Sequence, residues 1–319
     1  MSDRPRILLT RRWPEAVEAR LQARYSTALN GTDRPLSEAE LAQAMRDYDA
    51  VCPTVTDKVT RAVLTVEGRR AAIIGNYGAG FEHIDLAAAR EQGIAVTNTP
   101  DVLTEATADI ALTLLLMASR RAGEGERELR SGAWAGWRPT HLVGQSLSGK
   151  LLGLVGFGRI ARATAKRAEA FGMRIAYHSR RPAPDMPSEA YFADLGDLAA
   201  QADMLSLHAP GGPETHRMVD AALLARMPAH AVLVNTGRGT LIDEAALAEA
   251  LAARRIAAAG LDVYEAEPNV HPALVELPNV VLLPHLGSAT IEARTAMGMK
   301  VADNLDRFFA GEPLLDPVL

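Results

Sequence analysis

The stretch from Leu151 to Ala168 constrains this chain more than any other. Leu151 to Val155 is an apolar run with the length of a buried strand, and Arg159 to Ala168 reads as a helix. Between them stands Gly156-Phe157-Gly158-Arg159-Ile160-Ala161, a Gly-x-Gly-x-x-Ala pattern in the strand-to-helix context that gives it meaning. Gly156 permits the tight turn. Gly158 lets backbone N–H groups approach a pyrophosphate at the helix N-terminus, where the peptide dipoles favour an anion. Ala161 is small enough for close helix–strand packing. A plain strand-to-helix turn would use the same residues, so the motif alone points to a nucleotide without establishing one.

The rest of the chain supplies the context. Its 319 residues suffice for two domains, each with a core. Before the motif, strand signals at Arg6–Thr10, Asp49–Cys52, Arg70–Gly75 and Ile94–Thr97 alternate with helical stretches. These helices are Pro14–Arg24, a capping-box helix opened by Ser37-Glu38-Ala39-Glu40, and Leu86–Gln92 stopped by Gly93. From Leu151 a second alternation brings strands at Leu151–Val155, Arg174–Tyr177, Met204–His208, Val232–Asn235, Ala258–Val263 and Val280–Leu283. Alternation of this kind implies α/β domains with parallel sheets covered on both faces. Two helices, Leu103–Arg121 and Ala289–Phe309, flank the second alternation. The expected architecture is two Rossmann/flavodoxin-like domains, with the cofactor domain (99–286) inserted into a discontinuous substrate domain (1–98 plus 287–319). Residues 123–149, with Trp134-Ala135-Gly136-Trp137, make a poor core of their own. They read either as an arm that packs on a second subunit or as a surface excursion.

Composition excludes other classes. A net charge of −5 argues against a nucleic-acid partner. The lone Cys52, in an apolar strand context, reads as a buried inert thiol and offers neither disulfide nor metal cluster. The N-terminal residues Met1 to Arg6 lack a signal-peptide core, and the apolar helix around Ile110–Ala118 is too short to span a bilayer. A cytoplasmic protein without a metal is the expectation.

The end of the second strand of the later alternation selects the nucleotide. NAD is normally held there by an acidic residue about twenty positions beyond the glycines, bonded to the ribose 2′-hydroxyl. Here His178-Ser179-Arg180-Arg181 stands instead, with no carboxylate. Guanidiniums bind a 2′-phosphate that a carboxylate would repel. NADP(H) is therefore expected over NAD(H), with Ser179 and Arg180 as first contacts and Arg181 or His178 assisting. A solvated basic turn is the plainer alternative.

Three further strand ends carry reactive residues: Val234–Gly239 with Arg238, Gly260–Pro268 with Asp262, Glu265 and Glu267, and Leu283–Ser288 with His285. Ligands of open α/β sheets bind at the carboxyl ends of strands. Reduction of a ketone leaves negative charge on oxygen, which an acid must protonate, and histidine suits that role near neutral pH. A carboxylate can fix the imidazole tautomer, and an arginine can fork onto a substrate carboxylate. Spacing leaves Glu265 and Glu267 nearly equal as the partner of the histidine.

These motifs, in this order, resemble those of the D-isomer-specific 2-hydroxyacid dehydrogenase family over essentially the whole chain. The resemblance implies that Arg238 binds and polarises the substrate. It implies that Glu267, the acid before Pro268, pairs with His285 as the acid/base. It places Asp262 and the main chain at Thr236 by the nicotinamide, His208-Ala209-Pro210 along the cofactor groove, and Thr104 near the nicotinamide. Phe157, Arg159, Ile160, Thr215, Gly237 and Gly287 are likewise implied to touch the cofactor. The loop Asn76-Tyr77-Gly78-Ala79-Gly80 is implied to cradle the substrate carboxylate with its N–H groups, in keeping with the close approach that two glycines allow.

Within the family the chain is most similar to NADPH-dependent glyoxylate/hydroxypyruvate reductases. Asn76 to Asp85, Asn98 to Thr104 and the Trp134–Trp137 arm carry that likeness, and the arm implies a homodimer in which a tryptophan reaches the partner's site. Glu267 rather than Gln argues against a formate dehydrogenase, and His178 against most phosphoglycerate dehydrogenases. Other 2-hydroxyacid dehydrogenases, phosphite oxidation and a non-catalytic NAD(P)-sensing protein remain as alternatives.

Overall fold

The computed structural model describes residues 4–319; Met1–Asp3, part of the N-terminal stretch considered above, lie outside the described residues. The chain divides into two compact units, one running to Leu103 and resuming over Ala289–Leu319, the other Thr104–Ser288.

The first unit holds a sheet of five parallel strands. They are β1 (Arg6–Leu9), β2 (Ser26–Leu29), β3 (Ala50–Cys52), β4 (Ile73–Gly75) and β5 (Ala95–Thr97), in the order β2-β1-β3-β4-β5. Side chains alternate between faces. Ile7 and Leu9 pack with Val17 and Leu21 of α1 (Glu15–Arg24) and with Val301 and Leu305 of the C-terminal helix Ile291–Ala310. Leu8 packs the other way, with Leu41 of α2 (Glu38–Asp47), Leu64 of α3 (Arg61–Leu64) and Ala88 of α4 (Leu86–Glu91). Ser37 and Glu40 form the expected capping box. β2 has no counterpart in the sequence reading, because it is a short edge strand with no fully buried residue to mark it.

The second unit starts with α5 (Thr104–Ser119) and α6 (Ala122–Arg130). Six parallel strands follow: β6 (Leu151–Val155), β7 (Arg174–His178), β8 (Met204–Leu207), β9 (Val232–Asn235), β10 (Ala258–Leu261) and β11 (Val280–Leu282). Helices α7 (Arg159–Ala170), α8 (Leu195–Gln201), α9 (Ala221–Arg226), α10 (Glu244–Ala252) and α11 (Pro272–Glu276) connect them. The order is β11-β10-β9-β8-β6-β7. All six expected strands are present, and their side chains are mostly buried, as a doubly covered parallel sheet requires. The chain reverses direction across the sheet between β6 and β8, and ligands of such sheets gather at that switch point.

Two details differ from the expectation. The division falls after Leu103 and after Ser288, not at 98–99 and 286–287. Asn98 and Thr99 are bonded into the first unit through Asp316 and Gly78, while Gly287 is held in the second by Thr107 and Asp262. The segment after α5 is also more ordered than a bare arm. α6 forms despite Gly123 and Gly125, supported by Arg121–Glu124 and Glu126–Arg130 pairs, and none of its residues is buried. Among the described residues no helix is long and apolar enough to cross a membrane, and no group of three or more His, Cys, Asp and Glu could hold a metal. Cys52 is buried in β3, and burial pushes its thiol up to about 12.

Candidate active site

At the switch point Gly156 has φ +85°, and a Cβ there would lie 2.9 Å from the backbone of His208 and Ala209. Glycine is required at this position both by conformation and by space. Gly158 is the N-cap of α7, has no side chain to cap it, and has no atom within 4 Å of where a Cβ would stand. Arg159 and Ile160 form the first turn. The 12-residue helix α7 therefore presents an uncapped, positive end to open space. Phe157 stacks on buried Tyr177 with ring centres 4.1 Å apart, and the Arg162 guanidinium lies 4.6 Å over the same ring.

The basic turn after β7 is tied down at several points. His178 Nδ1 meets Phe192 O at 3.0 Å, Tyr191 donates to Ser179 O, and Ala183 N–H donates to Tyr177 Oη at 2.8 Å. Asp185 accepts a fork from Arg162 at 2.5 and 2.9 Å. Ser179 donates its hydroxyl proton to Arg181 O at 2.6 Å, so that proton closes the turn, and the expected first contact with a 2′-phosphate would require the bond to be exchanged. Arg180 and Arg181 are exposed, and their side chains make no ion pair among the described residues.

The loop after β8 carries His208, whose Nε2 lies 2.9 Å from Ser206 Oγ. Burial lowers the imidazole to about 4, so it is neutral at physiological pH and is no rival to His285 as acid. Ala209 is buried, and Pro210 O accepts the Thr215 hydroxyl at 2.7 Å. After β9, Asn235 shapes the next loop: its Oδ1 accepts Gly237 N–H at 3.0 Å and its Nδ2 donates to Arg238 O at 2.8 Å. Thr236 Oγ1 is buried without a partner, a costly state that a bound group can relieve. An uncapped helix end, an open glycine edge and an unpartnered hydroxyl fit a dinucleotide.

Beyond β10 and β11 the reactive side chains converge. His285 Nδ1 lies 2.8 Å from Glu267 Oε2. The Glu267 Oε1 accepts Tyr264 N–H at 3.0 Å. Burial opposes the charge on Glu267, but the bond to His285, that residue's charge, Tyr264 N–H and the Arg238 charge together hold the carboxyl below its usual range. Glu265 is committed elsewhere, its carboxylate 2.8 Å from Arg217 and its N–H bonded to Glu244. The spacing ambiguity between the two acids is thus resolved by geometry. Gly239 packs directly on the Tyr264–Glu265 peptide, where a Cβ would lie 1.8 Å from Tyr264 C.

His285 itself has φ +54°, a left-handed conformation unusual for a residue with a Cβ. Asp262 holds it there. The Asp262 backbone carbonyl accepts His285 N–H at 2.9 Å, and its buried carboxylate accepts Leu286 N–H at 2.6 Å and Gly287 N–H at 2.8 Å. Burial raises the Asp262 carboxyl, against the pull of these amides and of His285. Both oxygens of Asp262 are engaged by the His285 loop, which makes this side chain a scaffold of that loop. Thr104 begins α5, and Gly287 O accepts the Thr107 hydroxyl.

In the first unit, described by itself, the loop after β4 carries the other expected substrate contacts. Tyr77 N–H is bonded to Pro53 O at 2.8 Å, its hydroxyl donates to Arg294 O at 2.6 Å, and its ring stacks on Trp13. Asn76 N–H is bonded to Thr97 O. Of the stretch Asn76–Gly80, the N–H groups of Asn76 and Tyr77 are thus taken, while those of Gly78, Ala79 and Gly80 bond to nothing among the described residues.

Sequence reasoning did not single out Arg162, Asp185 or the Asn235 side chain. An Asn two residues before a Gly at a strand end is a signal for the last of these, since Asx side chains bond the backbone two residues on.

Comparison with known proteins agrees with this geometry. Residues 112–287 match the D-isomer specific 2-hydroxyacid dehydrogenase, NAD binding domain family. The chain is 43% identical to a glyoxylate reductase of Thermococcus litoralis over 97% of this chain and 95% of that one. It is 39% identical to a glycerate dehydrogenase of Hyphomicrobium methylovorum, covering 97% of each. The structure resembles that of an NADPH-dependent glyoxylate/hydroxypyruvate reductase from Sinorhizobium meliloti in complex with NADP and malonate. The TM-score is 0.88 at 40% identity, over 99% of this chain and 97% of that one. The chain belongs to the D-isomer specific 2-hydroxyacid dehydrogenase family.

Proposed function

We propose that the protein reduces a small 2-oxo acid, of the glyoxylate or hydroxypyruvate type, to the D-2-hydroxy acid with NADPH. The observation that carries the reading is the 2.8 Å Glu267–His285 pair with the Arg238 charge bearing on it. The relatives named above supply the substrate class. When bound, the nicotinamide supplies the hydride. His285 Nε2, the ring nitrogen not engaged by Glu267, donates the proton to the developing alkoxide. Glu267 steadies the imidazolium and fixes its tautomer. Arg238 forks onto the substrate carboxylate and polarises the carbonyl, and the N–H groups of the Gly78–Gly80 loop are donors of the kind that receives a carboxylate.

The preference for NADPH rests on Arg180 and Arg181, two exposed guanidiniums without an ion pair among the described residues, on a turn with no carboxylate at the ribose position. Arg180→Ala is expected to lower kcat/KM for NADPH roughly tenfold to a hundredfold, the loss of one charge-assisted contact, while sparing NADH. We also infer a homodimer through the arm of residues 123–149, since Leu129, Trp134, Trp137 and Val143 are all at least half exposed there, Trp137 at 81%.

A panel of 2-oxo acids assayed with both cofactors tests the reading. Turnover of glyoxylate or hydroxypyruvate with NADPH well ahead of NADH is expected. Tight NADPH binding with no turnover on any 2-oxo acid would leave a nucleotide sensor instead, and equal use of the two cofactors would remove the NADPH assignment.

A further inference from the structure

The carbonyls of Gly78, Ala79 and Gly80 are each held by something else, which fixes the peptides that carry the next residues' N–H groups, those of Ala79 and Gly80 among them. Gly78 O accepts Thr99 N–H at 3.0 Å and Asn76 Nδ2 at 3.1 Å. Gly80 O accepts the same Asn76 amide at 2.9 Å. Ala79 O accepts Asn98 Nδ2 at 2.7 Å. A peptide whose carbonyl is fixed in this way cannot rotate to set its oxygen against an anion. Asn76 is fully buried. Its Oδ1 lies 3.0 Å from His83 Nε2, so a ring N–H there determines which end of the amide faces the loop. The space is closed as well: a Cβ on Gly78 would lie 2.9 Å from Val55 Cγ1 and 3.4 Å from Asn76 Nδ2.

We infer that Asn76, oriented by His83, is a positioning residue for substrate recognition: it fixes the peptides that follow Gly78 and Gly80, and Asn98 the peptide that follows Ala79, so that the N–H groups of this loop receive the carboxylate of the 2-oxo acid. The inference rests on the 2-oxo acid reading above and names the side chains that make that cradle. Asn76→Asp keeps the size but sets a carboxylate against two carbonyl oxygens, so the peptides must turn.

The test measures KM and kcat for glyoxylate, Ki for oxamate, Kd for NADPH and the melting temperature. For Asn76→Asp, KM and Ki are expected to rise together at least tenfold, with kcat within about threefold and NADPH affinity within about twofold of the parent. His83→Gln, which still offers an N–H to Asn76, is expected to keep the parental KM, and His83→Leu to raise it several-fold. Should Asn76→Asp fail to fold, the two His83 variants decide. A lower melting temperature with unchanged KM and Ki in the folded variants overturns the inference while leaving the proposed reaction standing. A parent enzyme that turns over no 2-oxo acid overturns both.

Discussion

The two sheets share the strand order 2-1-3-4-5, which the second extends by a sixth strand, yet the same position in each is used in opposite ways. In the second unit the first strand, β6, leads through Gly156-Phe157-Gly158 into α7, whose N-terminus has no cap and faces open space. In the first unit β1 leads through Thr10-Arg11-Arg12-Trp13-Pro14 into α1, whose end also lacks a side-chain cap but has a carboxylate bonded to the chain just ahead of it. Glu18 turns back on it, accepting Trp13 N–H at 2.8 Å and a fork from Arg12 at 2.8 and 2.7 Å. The crevice beside it is closed by Thr10, which donates to buried Asp57 at 2.6 Å. Topology offers an anion site at both switch points. Local sequence leaves one open and supplies the other with a carboxylate of its own. The first unit then exposes N–H groups elsewhere, after β4, by side-chain amides instead of a helix end.

Gly158→Asp sets a carboxylate at the open end of α7 and carries the largest expected effect. The N-cap position tolerates Asp well, and a Cβ meets nothing within 4 Å, so stability should hold or rise. NADPH affinity, read by fluorescence titration, should fall by about a hundredfold or more, because a fixed carboxylate meets the pyrophosphate. Retained affinity would mean that the helix end is not the phosphate site.

Glu18→Ala probes the carboxylate beside α1. It leaves Arg12 and the Trp13 N–H without their acceptor and should cost about 1–3 kcal/mol in urea unfolding, with NADPH affinity unchanged. The fork from Arg12, against burial and with help from Trp13 N–H, holds the Glu18 carboxyl below its usual range. A depressed carboxyl stabilises the fold above its unfolded value, roughly pH 4.3, and that contribution disappears as pH falls through the lower native value. The parent should therefore lose more stability below pH 4 than Glu18→Ala does, and parallel curves would deny Glu18 this role.

The smallest effect concerns the closed crevice. Cys52, its thiol pushed up to about 12 by burial at the end of β3, should not react with an aromatic disulfide reagent in the native protein and should react fully in denaturant. Rapid labelling of the native state would show that this crevice opens.

Much of the second unit was legible because its signals are local. Six apolar runs of strand length, the glycine pattern and the Arg238, Glu267 and His285 motifs each sit within a few residues. β2 was not, since a half-exposed edge strand has neither alternation nor an apolar run. α6 was hidden by its glycines and lack of a buried face. Spacing alone left Glu265 and Glu267 nearly equal and only the family resemblance chose Glu267; what occupies Glu265 is Arg217 and Glu244, contacts at separations of 48 and 21 residues that no spacing rule contains. Likewise the sequence motif Asn76–Gly80 marks a loop, but only the bond from Tyr77 to Pro53 shows which of its N–H groups are taken.

The central claim is that Glu267 and His285 act together as the proton donor. Comparison of pH–rate profiles for the parent and Glu267→Gln tests it most directly, with NADPH affinity measured alongside. Loss of the partner charge should move the alkaline decline of 2-oxo acid reduction to lower pH and reduce kcat, with NADPH binding nearly unchanged. A profile superimposable on that of the parent would contradict the pairing and with it the proposed mechanism.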